Sequence, residues 1–319
     1  MKIDYELKEV PKDFAVSFIQ HYHYSPVLPK LTKHYLGFFV NGELKGVLTL
    51  GWGTQPVHTI NKMFTGLTSK HYYEIGKMCM DDDMPRNSES QMLSQTIRWL
   101  KTYHPSKLFL YTMADGIMGK CGYVYQAANF LFGEKYLTQV YMMENGEKIH
   151  PRSTKGLLVE NLEWEKTQET DYGKRSRLYW MTSDYMKHKG IRFIEGYMYR
   201  YIYPLNKTAK KMLQDKQYFV KPSSVVIRKN KKERPFVEPP HGAKTLFIKP
   251  YGPWKSSLNW TKEYPKDKDL QWFDKTTRPK TEIEKPPFTF EDMKYNTKNV
   301  GNVNKPVTWT DPTLDRFFT

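Results

Sequence analysis

An acid, a lysine and two tyrosines stand close together among glycines in DGIMGKCGYVYQA, residues 115–127 of this 319-residue chain. Asp115 could accept a proton, Tyr125 could donate one, and Lys120 lies between them as a cation. The glycines would let the backbone approach a ligand closely. The stretch therefore predicts a ligand-binding turn, and the alternative is a glycine-rich connection without chemistry.

A second group, HYHYS at 21–25, contains His23 and Tyr24. Histidine exchanges protons or binds metals near neutral pH, although such a cluster is also typical of surface or packing residues. Two further candidates, Glu74 and Lys77, lie on an expected strand. Because side chains alternate between the two faces of a strand, we expect this pair, at odd spacing, to face opposite ways.

The stretch PRNSES at 85–90 has the composition of a helix start. Asn87, Ser88 and Ser90, together with the first-turn amides of the helix, could hold a phosphate. No Gly-x-Gly or Gly-Lys-Ser/Thr pattern accompanies them, so simple N-capping by Asn87 or Ser88 is the competing interpretation.

The elements that would position these residues alternate between strands and helices. The predicted elements are a hairpin at 34–53 that turns at Asn41–Gly42, a strand at 72–80, a helix at 89–104, a strand at 107–113, a helix at 123–132 and a strand with a turn at 145–146. This order predicts an α/β protein with one mixed sheet flanked by helices. Asp115 would then lie beyond a central strand, where open α/β sheets bind ligands.

The composition limits the partners and the compartment. Lysine and arginine total 50 against 34 acidic residues, and the net charge of +16 favours polyanions such as nucleic acid or an acidic membrane surface. An inert basic surface is the alternative. No apolar stretch approaches the roughly 20 residues that span a bilayer, and the N-terminus lacks a signal-peptide pattern, so we expect a cytoplasmic protein. Cys79 and Cys121 lack metal-site spacing and predict packing roles.

The character of the chain changes near residue 221. Apolar patterning predicts one domain over residues 1–220, whereas residues 221–319 are rich in proline and lysine with scattered tryptophans. We expect this second segment to be extended or partly disordered. It would dock on the domain, stack on bases or remain a flexible tail.

Several motifs occur together in one order. They are HYS at 23–25, YEIGKMCMDDDMPRNSES at 73–90, MADGIMGKCGYVYQAANF at 113–130, NGEKIHPRS at 145–153 and YMYRYIYPL at 197–205. With these motifs, the chain from about residue 14 to residue 215 resembles the Mom family of phage DNA-modification proteins. The resemblance implies an N-acetyltransferase (GNAT)-like fold and an enzyme that converts adenine in DNA to a carbamoylmethyl derivative at N6, which blocks host restriction enzymes. It also implies the host-cell cytoplasm as the compartment.

The resemblance assigns roles residue by residue. The family's functional His-Tyr pair falls on His23 and Tyr24, its acid after the central strand on Asp115, and the tyrosine of its YQA motif on Tyr125. From the chemistry, we expect Asp115 to accept the amine proton and Tyr125 to protonate the leaving group.

Two positions depart from the family pattern. The usual strand arginine is Lys77 here, and the usual histidine of the glycine-rich turn is Lys120. Lysine keeps the charge of arginine but loses its forked geometry. The family is linked to iron, for which His23 and Tyr24, with His21, are the candidate ligands. An acyl-CoA-type donor is implied at the PRNSES stretch and Lys120, although a carbamoylmethyl product is not a simple acyl transfer.

The implied partner is double-stranded DNA, from which the target base must be flipped out. Basic and aromatic residues at 150–156, 173–181 and 188–204 suit phosphate contacts and stacking. The candidate DNA-binding residues are Arg152, Lys174, Arg175, Arg177, Arg192 and Arg200. The alternating YMYRYIY equally predicts a half-buried strand.

Two other functions compete with DNA modification. One is an N-acetyltransferase acting on a protein or a small amine, which would bind acetyl-CoA tightly; the missing glycine-rich pyrophosphate loop counts against it. The other is a DNA-binding protein without catalysis, which the departures at Lys77 and Lys120 favour.

Overall fold

A long mixed β-sheet organises the chain. The computed structural model describes residues 5–25, 28–64, 67–151, 154–215, 217–218, 225–226, 245–246, 254–255, 258–276 and 278–287. The strands are β1 (Tyr5–Glu9), β2 (Thr32–Val40), β3 (Glu43–Gly51), β4 (Tyr72–Met80), β5 (Phe109–Asp115), β6 (Leu131–Met142), β7 (Lys148–Ile149), β8 (Arg192–Pro204), β9 (Gln217–Tyr218), β10 (Val225–Val226), β11 (Thr245–Leu246), β12 (Trp254–Lys255), β13 (Trp272–Asp274) and β14 (Thr281–Ile283). The helices are α1 (Lys12–Tyr22), α2 (Pro56–Met63), α3 (Ser88–Tyr103), α4 (Tyr123–Ala127), α5 (Lys155–Thr167), α6 (Ser183–His188) and α7 (Lys207–Asp215).

The main sheet has the order β1-β2-β3-β4-β5-β8-β13-β14, and β6, which also pairs with β7, lies on the other edge of β8. The neighbours β4 and β5 run parallel, whereas β3–β4 and β5–β8 are antiparallel. The predicted mixed sheet with flanking helices is therefore confirmed. The hairpin prediction is also confirmed: β2 pairs with β3, and Asn41 and Gly42 take the positive φ angles of 52° and 88° that the tight turn requires.

Helices cover both faces of the sheet. On one face, apolar residues of α3 and α4 pack with side chains of the central strands in a single cluster. On the other face, α1 packs on β2 to β4, and α2 and α7 pack near β4 and β5. The faces alternate along β5, since Leu110 and Ala114 belong to the α3 side and Phe109 and Tyr111 to the opposite side.

The predicted helix at 123–132 is wrong in length. The structure has the short helix α4, which ends at Ala127, and the chain then enters β6 at Leu131. Asn129 takes a left-handed φ of 61°, which ends the helical path. The apolar residues at 130–132 pack against the sheet instead, because β8 offers an edge along which Leu131 and Phe132 can pair.

The alternating YMYRYIY stretch lies in β8, as its strand interpretation predicted. Tyr199 and Tyr201 are almost fully buried and belong to the central core. Both cysteines are free and buried, as expected for packing residues. None of the helices in the described part of the chain is long and apolar enough to cross a membrane.

The described residues 258–276 and 278–287, here called the C-terminal strap, lie against the sheet. Phe273 pairs with Glu195 of β8, just beyond the Asp115–Met198 pair with which β5 ends. The buried Glu195 carboxylate accepts hydrogen bonds from Lys275 at 2.9 Å and Lys280 at 3.1 Å, which fasten the strap to β8. Most of residues 221–257 and all of 288–319 lie outside the described residues, so the boundary at 220 and the extended tail stay predictions.

Candidate active site

A cleft opens where β4 and β5 separate. The two strands pair in parallel only from Tyr72–Phe109 to Glu74–Tyr111, and beyond this point they diverge. The resulting cleft has a volume of about 680 Å³. It brings together most of the residues predicted to do chemistry: His23, Tyr24, Lys77, Asp115, Lys120 and Tyr125.

Asp115 is the last residue of β5 and lies on the wall of this cleft. Its Oδ2 accepts a hydrogen bond from the Tyr24 hydroxyl at 3.4 Å. Its Oδ1 is buried and has no hydrogen-bond partner among the described residues. Burial raises the pKa of this carboxyl, against the lowering influence of the nearby Met118 amide and of the Lys77 ammonium. An unpaired buried carboxylate oxygen is a strong acceptor for an N–H of a ligand.

Lys77 lies near Asp115 but does not form a salt bridge with it. Its Nζ donates to Ser25 Oγ at 2.8 Å. Burial lowers the pKa of the Lys77 ammonium to about 8, although the negative charge of Asp115 acts in the opposite direction. A lysine with this pKa is partly neutral near physiological pH, which is unusual for a surface lysine and common at reactive sites.

The expectation that Glu74 and Lys77 face opposite ways is wrong. Leu50 of β3 pairs with Ile75 and Thr49 pairs with Lys77, so Gly76 is an extra residue that has no partner in this ladder. Such a β-bulge resets the alternation of side chains along the strand. Both Glu74 and Lys77 consequently belong to the face opposite α3 and line the cleft.

His23 and Tyr24 follow the end of α1, and their rings stack with centroids 4.5 Å apart. The Ser25 amide donates to His23 Nδ1 at 2.8 Å, which places the proton of the neutral ring on Nε2. Burial, reinforced by the positive charges of Lys77 and Lys120, lowers the pKa of His23 well below its ordinary value. His23 is therefore a neutral hydrogen-bond donor in this cleft.

The predicted iron ligands do not fit a metal. Coordination by His23 would need an unprotonated ring nitrogen, but Nδ1 already accepts from Ser25 and Nε2 carries the proton. The His21 ring lies edge-on to Tyr22 on α1. Across the described ranges, no group of three or more His, Cys, Asp or Glu side chains is arranged to hold a metal ion.

Lys120 lies within the glycine-rich turn, and Tyr125 follows the turn on α4. Tyr125 is buried in the core cluster on the α3 side, where burial raises the pKa of its hydroxyl against a hydrogen bond with Thr112. Lys120 Nζ lies 5.1 Å from the ring centroid of Tyr24. Burial lowers the pKa of the Lys120 ammonium, while Asp115 raises it. The proton donor and the proton acceptor thus reach the cleft from opposite faces of the sheet.

Of the residues predicted to hold a donor, Lys120 lines the cleft, whereas Asn87, Ser88 and Ser90 lie outside its lining. Asn87 immediately precedes α3, has a left-handed φ of 74° and makes no side-chain cap. The Ser88 hydroxyl donates to Pro85 O at 2.6 Å, so neither residue caps the helix as predicted. This end of the cleft is instead lined by three carboxylates, those of Asp81, Asp82 and Glu89. Carboxylates repel a pyrophosphate, so these residues do not fit the diphosphate of an acyl-CoA.

The candidate DNA-binding residues separate into different environments. Arg175 and Arg177 are exposed beside Trp180 and Tyr179, with ring-centroid distances of 5.1 Å and 4.8 Å respectively. Lys174 pairs with Asp171 on the same loop, and Arg152 lies outside the described residues.

Arg192 and Arg200 differ from this exposed set. Arg192 donates to Asp274 of the strap at 2.9 Å. Arg200 is only 5% exposed and lies 4.1 Å from the centroid of the Tyr136 ring. The placement of Arg200 among DNA-contacting residues is therefore corrected, because a phosphate contact needs an exposed guanidinium.

The strap contributes to this site in a way that sequence patterns did not predict. Trp272 Nε1 donates to both Gly116 O and Ile117 O at 3.0 Å, directly after Asp115. Gln126 Nε2 donates to Pro265 O at 3.0 Å on the other side of the turn. Tryptophan and tyrosine occur among polar residues after 258. This pattern indicates that the segment docks on the domain, but it does not indicate which residues it contacts.

Comparison with known proteins agrees with these motifs. The sequence model of the Mom protein family matches residues 4–222, which leaves the strap outside the match. The chain is similar to "Methylcarbamoylase mom" of Escherichia phage Mu, with 30% identity over 208 residues that cover 65% of this chain and 78% of that protein. The family match at 4–222 spans α1, the diverging strands, the glycine-rich turn and β8. This chain belongs to the Mom protein family.

Proposed function

We propose that this protein is a phage DNA-modification enzyme that transfers a carbamoylmethyl group to the N6 amine of adenine and so protects DNA from host restriction. The observation that carries the proposal is the unpaired, buried Oδ1 of Asp115 in a cleft that also holds Tyr125. The name of the phage Mu relative, a methylcarbamoylase, supports the transferred group. The parallel strands β4 and β5 diverge in a sheet that helices cover on both faces, and this arrangement supports an N-acetyltransferase-like fold.

The acceptor amine needs activation. The lone pair of adenine N6 is delocalised into the ring, and in duplex DNA the base is also paired and stacked. The base must therefore leave the helix, at a cost of a few kcal/mol, before it can enter a pocket. Asp115 then accepts the proton of the N6–H bond as N6 forms its bond to the transferred carbon. The bond from that carbon to its carrier breaks, and Tyr125 supplies the proton that the carrier takes up.

The charges of the cleft suit this division of roles. Asp115 has a raised pKa, which makes its carboxylate a better base than an exposed aspartate. The positive charge of Lys77 acts against this rise in the pKa of Asp115, and the negative charge of Asp115 in turn raises the pKa of the Lys120 ammonium. Neutral His23 offers a donor for a ring nitrogen of the base. The stacked rings of His23 and Tyr24 form an aromatic wall for the flipped adenine.

The duplex would be held by the exposed loop at 171–181. Arg175 and Arg177 lie beside the exposed rings of Trp180 and Tyr179, and Lys174 adds a further cation. Cations and exposed aromatic rings together suit phosphate contacts and stacking on bases.

The test is mass spectrometry of nucleosides from plasmid DNA of expressing cells. Wild-type protein is compared with Asp115→Asn and Tyr125→Phe, and with Asp13→Asn on the exposed start of α1 as the matched control. We expect a new adenine derivative with the added mass of a carbamoylmethyl group in wild type and control, and none in the two site variants. Unmodified DNA from folded wild-type protein would overturn the proposal in favour of an acetyltransferase or a DNA-binding protein without catalysis.

A further inference from the structure

Glu74 occupies the closed end of the cleft, and the mechanism above does not use it. It belongs to the last parallel pair, Glu74–Tyr111, before β4 and β5 diverge. The bulge at Gly76 places it on the same face as Lys77. A reactant that enters between the strands therefore meets Glu74 where the cleft narrows.

The Glu74 carboxyl is held by a hydroxyl group and by the shape of the neighbouring loop, and among the described residues it forms no salt bridge. Thr59 Oγ1 donates to Oε2 at 3.3 Å. Gly53 has a φ of +65°, and a Cβ atom added there would lie 2.3 Å from both carboxylate oxygens of Glu74. A side chain at position 53 would therefore occupy the space that the Glu74 carboxylate fills. The residue is 6% exposed. Among the described residues, no hydrogen bond reaches Oε1.

A buried carboxyl with one hydroxyl partner and no cation is costly to the fold. Burial raises the pKa of Glu74 to about 7, and only the Thr59 hydrogen bond acts against this rise. A hydrophobic residue at this position would fill the same space at no such cost. The unpaired Oε1 is consequently suited to a ligand that arrives with an N–H donor.

We propose that Glu74 Oε1 accepts a hydrogen bond from an N–H₂ group of a reactant bound in the cleft, and so selects the reaction partner. This inference rests on the proposed function, which supplies two such groups: the exocyclic amine of adenine and the carboxamide of the carbamoylmethyl group. Groups that only accept hydrogen bonds, such as phosphate and carboxylate, are disfavoured at this end of the cleft by their charge. In the proposed DNA reaction both N–H₂ groups lie near Asp115, so the experiment must distinguish which of the two Glu74 binds.

The loss variant is Glu74→Leu, which removes the acceptor. The conservative variant is Glu74→Gln, which keeps a carbonyl for the ligand because the Thr59 hydroxyl can accept from the new side-chain NH₂. The control is Glu163→Leu, an exposed glutamate of α5 that lies outside the cleft lining. Each protein is measured for modified adenine and for binding to a single-stranded oligonucleotide that carries either one adenine or one purine without the amine.

If Glu74 binds the adenine amine, wild type and Glu163→Leu prefer the adenine oligonucleotide by roughly tenfold, and Glu74→Leu loses this preference. If it binds the transferred carboxamide, the preference is the same in every protein, and Glu74→Leu makes at least roughly tenfold less modified adenine than the control. In the first case Glu74→Gln retains a measurable part of the preference for adenine, and in the second case it retains a measurable part of the modification. Each of these results supports the proposal and names the source of the N–H₂ group.

Three results would overturn it. One is a Glu74→Leu protein that modifies adenine and prefers the adenine oligonucleotide to the same extent as wild type. Another is equal loss in Glu74→Gln and Glu74→Leu, which would indicate a proton-transfer role instead. The third is a lower melting temperature in Glu74→Gln with unchanged modification, which would indicate a structural role. If wild type modifies no DNA, the proposed function fails, while the oligonucleotide preference and the melting temperature still test Glu74.

Discussion

The hydroxyl of Tyr24 donates to Oδ2 of Asp115 across 91 positions of sequence, at 3.4 Å. The contact joins the segment after α1 to the end of β5, two elements that share no strand pairing. Oδ1 is buried and has no hydrogen-bond partner among the described residues, so the carboxylate is held by one oxygen and left without a partner at the other. Tyr24 is therefore placed to orient the proposed base without covering it.

Tyr24→Phe should lower modification more than it lowers stability. The hydrogen bond from Tyr24 lowers the pKa of Asp115, so its loss moves that pKa further upward and leaves less carboxylate at a given pH. We expect a several-fold loss of modified adenine, larger at lower pH, with a change of about 1 kcal/mol or less in unfolding free energy because the bond is long. Nucleoside mass spectrometry and thermal melting measure the two effects. The control is Tyr103→Phe at the exposed end of α3; an equal loss there would contradict the assignment.

Glu74→Gln should stabilise the protein in a pH-dependent manner. The pKa of Glu74 is raised from its ordinary 4.5 to about 7 by burial. Because the folded-state pKa lies above the unfolded value, the carboxyl costs nothing below about 4.5, and its cost grows as pH rises towards 7. The variant should then exceed wild type by on the order of 3 kcal/mol at and above pH 7 and by nearly nothing at pH 4. Urea unfolding at several pH values checks this, and a difference independent of pH would refute it.

Trp272→Phe should damage the site while leaving the sheet intact. The change keeps an aromatic ring but removes the N–H that donates to Gly116 and Ile117. We expect roughly tenfold less modification, because small displacements of a reacting group are costly, and faster hydrogen exchange at residues 116–122. The matched control is Tyr264→Phe, which removes the strap's 2.7 Å hydrogen bond to Phe130 O, away from Asp115. Equal effects of the two changes would show that the strap acts only through overall stability.

Substitution of both Arg175 and Arg177 by glutamine should weaken DNA binding with little effect on folding. Both are exposed, and a phosphate contact contributes about 0.9 to the slope of log affinity against log salt. We therefore expect the slope for duplex DNA to fall by about 2. Fluorescence anisotropy over a range of salt concentrations measures it. Arg98→Gln on the exposed side of α3 is the control, and a slope unchanged in the double variant would remove this loop from the DNA surface.

Local patterns predicted the elements that carry the site better than the details of their contacts. The bounds of β4 follow from a short apolar run, and the hairpin follows from Asn41–Gly42. The strand predicted at 107–113 is also present, but β5 is Phe109–Asp115 and includes the acid. The bulge at Gly76 has no such local signal, because it depends on how β3 pairs with β4. The faces of Glu74 and Lys77 could therefore not be obtained from spacing alone.

Tertiary partners account for the remaining differences. Residues 130–132 join β6 because β8 offers an edge, although their composition also suits a helix. The sequence neighbours of Arg200 predict a surface cation, whereas the ring of Tyr136 covers it. The strap has no apolar periodicity, since it uses the existing sheet for its hydrogen bonds and needs few core residues of its own.

The hydrogen bond from Trp272 to Gly116 also sets the order of two events in a newly made chain, the pairing of its sheet and the fixing of the turn after Asp115. The two residues are 156 positions apart, and synthesis at about 5–20 residues per second separates them by on the order of 10 s. By the time Trp272 is made, every strand from β1 to β8 is complete and available to pair, while the carbonyls after Asp115 still lack their donor. A nascent or truncated chain can thus hold its sheet before its reactive turn is fixed, so that assembly of the scaffold and onset of activity become separate events in time.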